Sequence, residues 1–356
     1  MAKVIVGMSG GVDSAVCAYL LKEQGYDVTG LTLRSWVSGD GQESRCCEID
    51  DARAVCDKIG IPFYVVNCLE EFEKTVTDPF IDDYLKGRTP NPCVICNRTV
   101  KWDRMLYNAK MMDAEYVATG HYASIVKLDN GRYTVKKALH SEKDQAYMLY
   151  RLSQEQLAAT LMPLGTYTKA EVRDIAAKAG LPVAQKGDSQ EICFVVDGDY
   201  AGYIERNAKT SVPPKGNFVD EDGKILGTHE GIIHYTVGQR KGLGIAMGYP
   251  IFVKEIRPET NEVVLAKDEA LYSKEIVCDD LNFLSVADID EADGLECSVK
   301  IRYRHGGQSA RLEKIDDKKI RVVFTDPVRA ATPGQSAVFY DSNGYVIGGG
   351  IITGEK

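Results

Sequence analysis

Residues Lys3–Gly25 read "KVIVGMSGGVDSAVCAYLLKEQG". The run "KVIVGM" predicts a short apolar strand, and "GVDSAVCAYLLKEQG" predicts a helix, with Val12, Val16, Tyr19 and Leu20 at helical spacing and Gly25 as a stop. The pattern then repeats. "DVTGLTLRS" reads as a strand, "EIDDARAVCDKIG" as an amphipathic helix ending at Gly60, and "IPFYVVNC" as a third strand. "VKWDRMLYNAKMMDA" reads as another helix leading into a fourth strand, "EYVATGHYA". Strands alternating with helices imply an α/β fold, a doubly wound parallel sheet covered on both faces. Ligands of such sheets sit beyond the carboxyl ends of the strands.

From about Gly202 the helical period vanishes, and short β-rich runs separated by Gly, Pro, Asn and Asp take over. "PETNEV", "DDK" and "SNG" are hairpin signals. The expected organisation is an α/β domain over 1–201, a small β-rich domain over 202–272 and a last β domain over 273–356. A length of 356 residues suits two to three domains. The start "MAKVIVGMSGG" has too short an apolar run for a signal peptide or membrane span, so a cytoplasmic location is expected.

That location governs the ten cysteines. Reduced thiols do not form a disulfide framework, and Cys17, Cys56, Cys68, Cys278 and Cys297, in apolar surroundings, read as small buried hydrophobes. "TPNPCVICN", Thr89–Asn97, is different: prolines at 90 and 92 make it a stiff turn holding Cys93 and Cys96. Cys-x-x-Cys serves half of a zinc site, a redox dithiol or part of an iron–sulfur site. No second such pair exists and Cys46–Cys47 are badly spaced for a knuckle, which disfavours structural zinc. Cys193, in "KGDSQEICFVV", is the remaining candidate partner; taken alone it reads as buried beside Ile192 and Phe194.

Directly after the first strand, "SGGVDS", Ser9–Ser14, offers backbone N–H groups and a helix N-terminus to an anion. Gly10 and Gly11 let the backbone approach a phosphate, Ser9 and Ser14 add hydroxyls, and Asp13 is a candidate Mg²⁺ ligand or helix cap. The string lacks the Walker lysine and is not GxGxxG. It resembles the pyrophosphatase loop of ATP-dependent adenylating enzymes, which cleave ATP to AMP and pyrophosphate and activate an oxygen.

Over its whole length the chain resembles the MnmA (TrmU) family of tRNA-specific 2-thiouridylases. The resemblance rests on "GMSGGVDS", "GRTPNPCVICN", "ATGHYA", "KDQAYML", "KGDSQEICF", "GIIHYTVGQRKGLGI", "KIRYRH" and "ATPGQSAVFYD", which run in the family's order. It implies an adenine nucleotide alpha hydrolase-like (PP-loop) first domain and a C-terminal β-barrel. It implies ATP-dependent sulfur transfer to carbon-2 of the wobble uridine of tRNAs for Lys, Glu and Gln. Gly7, Met8, Ser9, Gly10, Gly11, Val12, Asp13 and Ser14 match the ATP loop, with Leu33 and Gly120 lining the nucleotide. Cys96 matches the nucleophile and Cys193 the persulfide carrier. Asn91, Pro92 and Cys93 match the residues facing the target base. His121, Lys143, Asp144, Gln145, Arg302, Tyr303 and Gln335 match tRNA contacts. Implied partners are the anticodon stem-loop and a sulfur donor such as a cysteine desulfurase relay; implied cofactors are ATP and Mg²⁺.

Many family members have Asp where this chain has Cys93. Three thiolates, Cys93, Cys96 and Cys193, are a candidate ligand set for a 4Fe-4S cluster carrying sulfide. The alternative is a persulfide route that uses Cys96 and Cys193 and leaves a disulfide between them.

The net charge of −9 argues against a nucleic-acid partner on average, but charge is unevenly distributed. Residues 268–296 carry ten acids and one Lys; residues 299–329 carry nine Lys/Arg against four acids. The surplus suits either several phosphates or a solvated sheet face. His229 and His234, in a Gly-rich β-turn, read as structural. Two rival functions stand: another PP-loop adenylating enzyme that needs neither Cys96 nor Cys193, and a non-enzymatic RNA-binding protein switched by ATP.

Overall fold

The computed structural model describes residues 1–37, 48–187 and 192–355. Chain contacts divide it into two compact units. The first comprises Met1–Val76, Pro92–Gly198 and Asn343–Val346; the second comprises Thr77–Asn91, Asp199–Ser342 and Ile347–Lys356.

The first unit is built on five parallel strands: β1 Lys3–Gly7, β2 Asp27–Arg34, β3 Phe63–Asn67, β4 Tyr116–Ala118 and β7 Thr160–Leu161, in the order β3-β2-β1-β4-β7. A separate hairpin, β5 Ala123–Lys127 with β6 Tyr133–Lys137, follows β4. The central strand is buried on both faces, with Val4, Ile5 and Val6 at most 1% exposed. Each contributes about 1.5–3 kcal/mol over an exposed position. Val4, Val6 and Met8 pack with α1 (Val12–Glu23), α2 (Ile49–Ile59) and α5 (Lys169–Lys178). A side chain at Gly7, which alternates to the other face, would meet Met105 Sδ on α4 (Asp103–Met111) at 3.1 Å. Helices therefore cover both faces, as the alternation of strands and helices predicts. The strand order reverses between β1 and β4, and that switch point is where a ligand crevice opens.

Three local expectations change. "TPNPCVIC" is not a turn throughout: α3 spans Pro92–Cys96 and runs through a wide turn, Asn97–Trp102, into α4. Pro92 is the reason, since proline at the first helical position lacks only an N–H that would be unpaired anyway. The fourth strand is only three residues long. Helix also persists past Gly202 as α6, Tyr200–Asn207, whose Asp199 cap accepts from Gly202 N at 2.9 Å.

The second unit holds a four-stranded sheet and a closed barrel. The sheet joins β8 Gly216–Val219, β9 Ile225–His229, β10 Phe252–Arg257 and β11 Glu262–Ala266 in the order β10-β11-β8-β9. The barrel closes β12 Tyr272–Phe283, β13 Glu296–Lys300, β14 Gln308–Lys314, β15 Ile320–Arg329, β16 Ser336–Tyr340 and β17 Val346–Ile352 in the order β12-β15-β14-β13-β16-β17. Irregularities in β12 after Ser273 and after Asp279 let that strand pair with both β15 and β17 and close the barrel. All three hairpin signals fall between paired or consecutive strands: "PETNEV" at β10–β11, "DDK" at β14–β15 and "SNG" at β16–β17. No described helix is long and apolar enough to cross a membrane.

Candidate functional site

The loop Gly7–Ser14 leaves the carboxyl end of β1 at the switch point. Its serines brace the loop: Ser9 N donates to Ser14 Oγ at 3.2 Å, Gly11 N to Ser9 Oγ at 3.3 Å, and Ser14 Oγ to Gly11 O at 3.0 Å. Gly10 has φ +78°, a conformation L side chains rarely adopt, and a Cβ there would meet Glu48 O at 2.6 Å. Met8 is tied to β2, its N donating to Leu31 O at 2.9 Å and its O accepting from Thr32 Oγ1 at 2.7 Å. The N-cap of α1 is Gly11, with no side-chain cap. The helix therefore presents its first N–H groups and dipole without a local oxygen competing for them. Leu33 sits one residue from the end of β2, and Gly120 two residues beyond β4. These positions share the carboxyl edge of three adjacent strands. Gly120 lies against the loop: a Cβ there would meet Asp13 C at 2.6 Å and Ser14 N at 2.7 Å.

Asp13 does not cap α1. Its Oδ1 and Oδ2 accept from Lys169 Nζ at 2.8 and 2.9 Å, and Tyr122 OH donates to Oδ1 at 2.7 Å. An ammonium at that distance opposes a dication on the same carboxylate, so Asp13 does not fit the Mg²⁺ role its sequence position suggests. On the other side of the loop, Lys186 donates to Gly10 O at 3.2 Å and pairs with Glu48 and Asp51. Sequence reasoning missed Lys169, Lys186 and Tyr122, although Lys186 lies in the quoted "KGDSQEICF" and Tyr122 in "ATGHYA".

Cys93 is exposed on the first turn of α3, Cys96 is buried, and Cys193 is half-buried next to Phe194, whose ring packs on Phe72 at 5.7 Å. Cys96 and Cys193 belong to the same unit. Among the described residues, no three His, Cys, Asp or Glu side chains come together as a metal-holding group. Cys93, Cys96 and Cys193 are accordingly not gathered as a ligand set in this structure. The short helix accounts for Cys93, which its first turn leaves in solvent while Cys96 is drawn inside. Asn97, 2% exposed, fixes the end of α3 by donating from Nδ2 to Met148 O at 3.0 Å. Cys46, Cys47 and residues 188–191 of the "KGDSQEICF" motif lie outside the described residues.

The remaining cysteines match their sequence reading. Cys17, Cys56, Cys68, Cys278 and Cys297 are buried, and burial raises the thiols of Cys17 and Cys278 and pushes Cys56 and Cys297 up to about 12. His229 is structural too, its ring bonded to Asn261 O at 3.1 Å and to Gly231 N at 3.1 Å.

Several expected RNA contacts prove to be used by the fold. Asp144 is buried, its Oδ1 accepting from Ala138 N at 3.1 Å and Ala146 N at 3.2 Å. Gln145 accepts from Tyr122 N through Oε1 at 2.9 Å, while its own N donates to Tyr122 O. His121 bonds Thr119 Oγ1 through Nδ1 at 2.8 Å, and its ring lies tilted against Trp102 at 5.6 Å. Burial, with the charge of Lys101 behind it, pushes its imidazole down to about 3. Lys143 ends a short turn, Ser141–Lys143, and is half-buried.

In the second unit the basic run resolves largely into local ion pairs. Arg311 faces Glu296, Lys314 pairs with Asp290 and Asp317, Lys319 with Glu355, Arg321 with Glu275, and Arg329 with Asp268. Four of those acids come from the acidic stretch 268–296, which the barrel sets beside the basic one. Arg302 instead donates to Arg329 O at 3.1 Å and lines a cleft of about 350 Å³ with Thr89, Thr236, Arg329 and Gln335. Lys300 Nζ lies over the Tyr303 ring at 5.9 Å. Gln335 Nε2 donates to Thr89 O at 2.8 Å and Pro90 O at 3.4 Å, and Thr89 N donates to Pro333 O at 2.8 Å. A barrel loop thus grips the residues that lead into Asn91 and Pro92.

Three domain families match the chain: the tRNA methyl transferase HUP domain over residues 2–197, the tRNA methyl transferase PRC-barrel domain over 202–267, and the aminomethyltransferase beta-barrel domain over 273–352. The tRNA-specific 2-thiouridylase MnmA of Lachnoclostridium phytofermentans is 54% identical over 359 residues, covering 99% of this chain and 99% of the relative. The chain belongs to the MnmA family. The MnmA of Acetivibrio thermocellus is 53% identical over 98% of this chain and 99% of its own length, and that of Clostridioides difficile is 50% identical over 98% of each. A looser likeness joins this MnmA-family chain to the U34-tRNA thiolase NcsA from Methanococcus maripaludis with its [4Fe-4S] cluster. It is 21% identical with a TM-score of 0.36 over 58% of this chain and 67% of that one.

Proposed function

We infer that this chain is a tRNA-uridine 2-sulfurtransferase, a tRNA-specific 2-thiouridylase that consumes ATP and transfers sulfur to carbon-2 of the wobble uridine of tRNAs for Lys, Glu and Gln. The supporting observation is that one unit presents both an anion-ready loop at the sheet's switch point and the two thiols of the motif, Cys96 and Cys193. The domain division 1–201, 202–272 and 273–356 belongs to the same proposal.

The oxygen on carbon-2 is a poor leaving group until it carries AMP. The loop N–H groups and the N-terminus of α1 hold the triphosphate, and pyrophosphate departs against them. Mg²⁺, when bound, neutralises phosphate charge. Leu33 and Gly120 border the nucleotide. Asn91, Pro92 and Cys93 face the uridine, a loop base that is cheaper to unstack than a paired one. The terminal sulfur of a Cys193 persulfide attacks carbon-2 and AMP leaves. The Cys96 thiolate then attacks the inner sulfur, so the persulfide S–S bond breaks, the thiocarbonyl forms and a Cys96–Cys193 disulfide remains for an external thiol to reduce. A cysteine desulfurase relay recharges Cys193. His121, Lys143, Asp144, Gln145, Arg302, Tyr303 and Gln335 contact the tRNA, and the reaction runs in the cytoplasm.

The test is a reconstituted reaction of the full chain with tRNA, ATP and a persulfide donor, reading AMP, pyrophosphate and 2-thiouridine. Cys96→Ser and Cys193→Ser each abolish thiolation, and Cys193→Ser retains AMP release. Thiolation surviving both changes points to another PP-loop adenylating chemistry, and absence of AMP with every component present points to an RNA-binding switch. Thiolation that tracks iron content and dies in Cys93→Ser overturns the persulfide route.

A further inference from the structure

An acidic residue inside an anion-binding loop needs an explanation, because a carboxylate there repels the triphosphate the loop is meant to hold. Asp13 is answered by Lys169, 156 residues away in the chain, at 2.8 Å. That lysine is oddly placed by local rules. It is the first residue of α5 after the Thr168 cap, where the helix dipole disfavours a cation. Its position is fixed by a complete capping box, Glu171 N to Thr168 Oγ1 at 3.1 Å and Thr168 N to Glu171 Oε2 at 2.7 Å. The side chain is only 15% exposed, and a buried ammonium needs a partner. Lys169 Nζ also lies over the Tyr122 ring at 5.9 Å, and Tyr122 OH donates to Asp13 Oδ1 at 2.7 Å. Gly120, lacking a side chain, lets the turn carrying Tyr122 sit on the backbone of Asp13 and Ser14. Three segments distant in sequence therefore meet at one carboxylate, and a placement that violates local preference without local gain points to function.

We propose that Lys169 is a positioning residue for nucleotide binding: with Tyr122 it neutralises and anchors Asp13, so that the Gly7–Ser14 loop holds its N–H groups toward the phosphates without a repelling charge. Asp13 is then part of the loop's scaffold and not a metal ligand. The inference rests on the loop being the ATP site, and needs nothing of the later sulfur chemistry.

The experiment measures ATP binding to the full chain by calorimetry, once with saturating Mg²⁺ and once in chelator, for wild type, Lys169→Met, Lys169→Arg, Asp13→Asn, Tyr122→Phe and the Asp13→Asn/Lys169→Met pair. Lys169→Met is expected to weaken ATP binding about tenfold or more in both conditions, and Lys169→Arg by less than about threefold, because the arginine keeps the charge-assisted bond. The double variant binds ATP better than Lys169→Met alone, since an amide at position 13 needs no counter-charge; such non-additivity marks direct coupling, which a general loss of packing would not produce. Wild-type affinity in Lys169→Met overturns the proposal. So does an Asp13→Asn defect seen only when Mg²⁺ is present, which would make Asp13 a metal ligand. Should Lys169→Met fail to fold by circular dichroism, Tyr122→Phe carries the test: a loss of about threefold in both conditions supports the latch and unchanged affinity refutes it. Wild-type protein that binds ATP in this pattern but thiolates no tRNA refutes the assigned reaction and leaves the latch standing.

Discussion

Gly120→Ala is the sharpest probe of how the nucleotide loop is seated. The added Cβ would stand 2.6 Å from Asp13 C, 2.7 Å from Ser14 N and 2.8 Å from Asp13 O. Ordinary contact begins at 3.4 Å, so the turn and the loop must part by about 0.8 Å. All three atoms are backbone, so no side chain can swing aside to absorb the methyl. Overpacking of this kind costs about 1–3 kcal/mol. The displacement also falls on the residues that Tyr122 and Lys169 hold, so ATP affinity drops along with stability. Both tryptophans, Trp36 and Trp102, lie in the first unit, so their fluorescence during urea unfolding follows that unit alone. Gly187→Ala is the control, because it lies in the same unit, nothing is within 4 Å of its Cβ and no positive φ opposes it. The expected result is a lower urea midpoint and weaker ATP binding for Gly120→Ala, with Gly187→Ala within about 0.5 kcal/mol of wild type. An unchanged midpoint with unchanged ATP affinity would refute the close seating of loop and turn.

Acid should weaken the first unit partly through His121. Its folded value is about 3 against an ordinary 6.5, so between these values the unfolded state binds the extra proton and stability falls as pH drops. His121→Gln should therefore lose less stability than wild type between about pH 7 and 5, by about 1 kcal/mol after allowing for partial exposure of the ring; parallel curves by tryptophan fluorescence would contradict this. Gln335→Ala removes the bonds to Thr89 O and Pro90 O, so trypsin should cut after Arg88 faster than in wild type. Equal cleavage rates would mean that the barrel loop does not restrain this segment. In tRNA binding titrated with salt, Arg302→Gln should lower the slope of log affinity against log salt by about 1, whereas Arg321→Gln, whose guanidinium faces Glu275 at 3.8 Å, should leave it unchanged; equal effects would restore the basic run as one phosphate-binding surface.

Where the sequence alone did not reach, contacts that motif spacing does not encode decided the outcome. The ion pair of Asp13 was not legible because nothing within a helical turn announces Lys169. That Cys93 is exposed while Cys96 is buried was not legible, because residue spacing says nothing of which turn of a helix faces solvent. Asp144 and Gln145 were legible as a motif, but not the bonds their side chains make to the backbone of Ala138, Ala146 and Tyr122. The basic run was read correctly as a charge excess, and its neutralisation came from strand neighbours that only barrel closure brings together.

The chain's local order was decided by short-range physics. Apolar period, Gly and Pro placement and the "SGGVDS" string were enough for the parallel sheet, the loop at its carboxyl edge and the β-rich second half, because each depends on residues a few positions apart. Tertiary structure alone decided which charges cancel, which thiol is buried and which barrel loop holds Thr89–Pro90. Those outcomes depend on Coulomb and packing contacts between segments whose separation in space is set only once the sheet order and the barrel are complete.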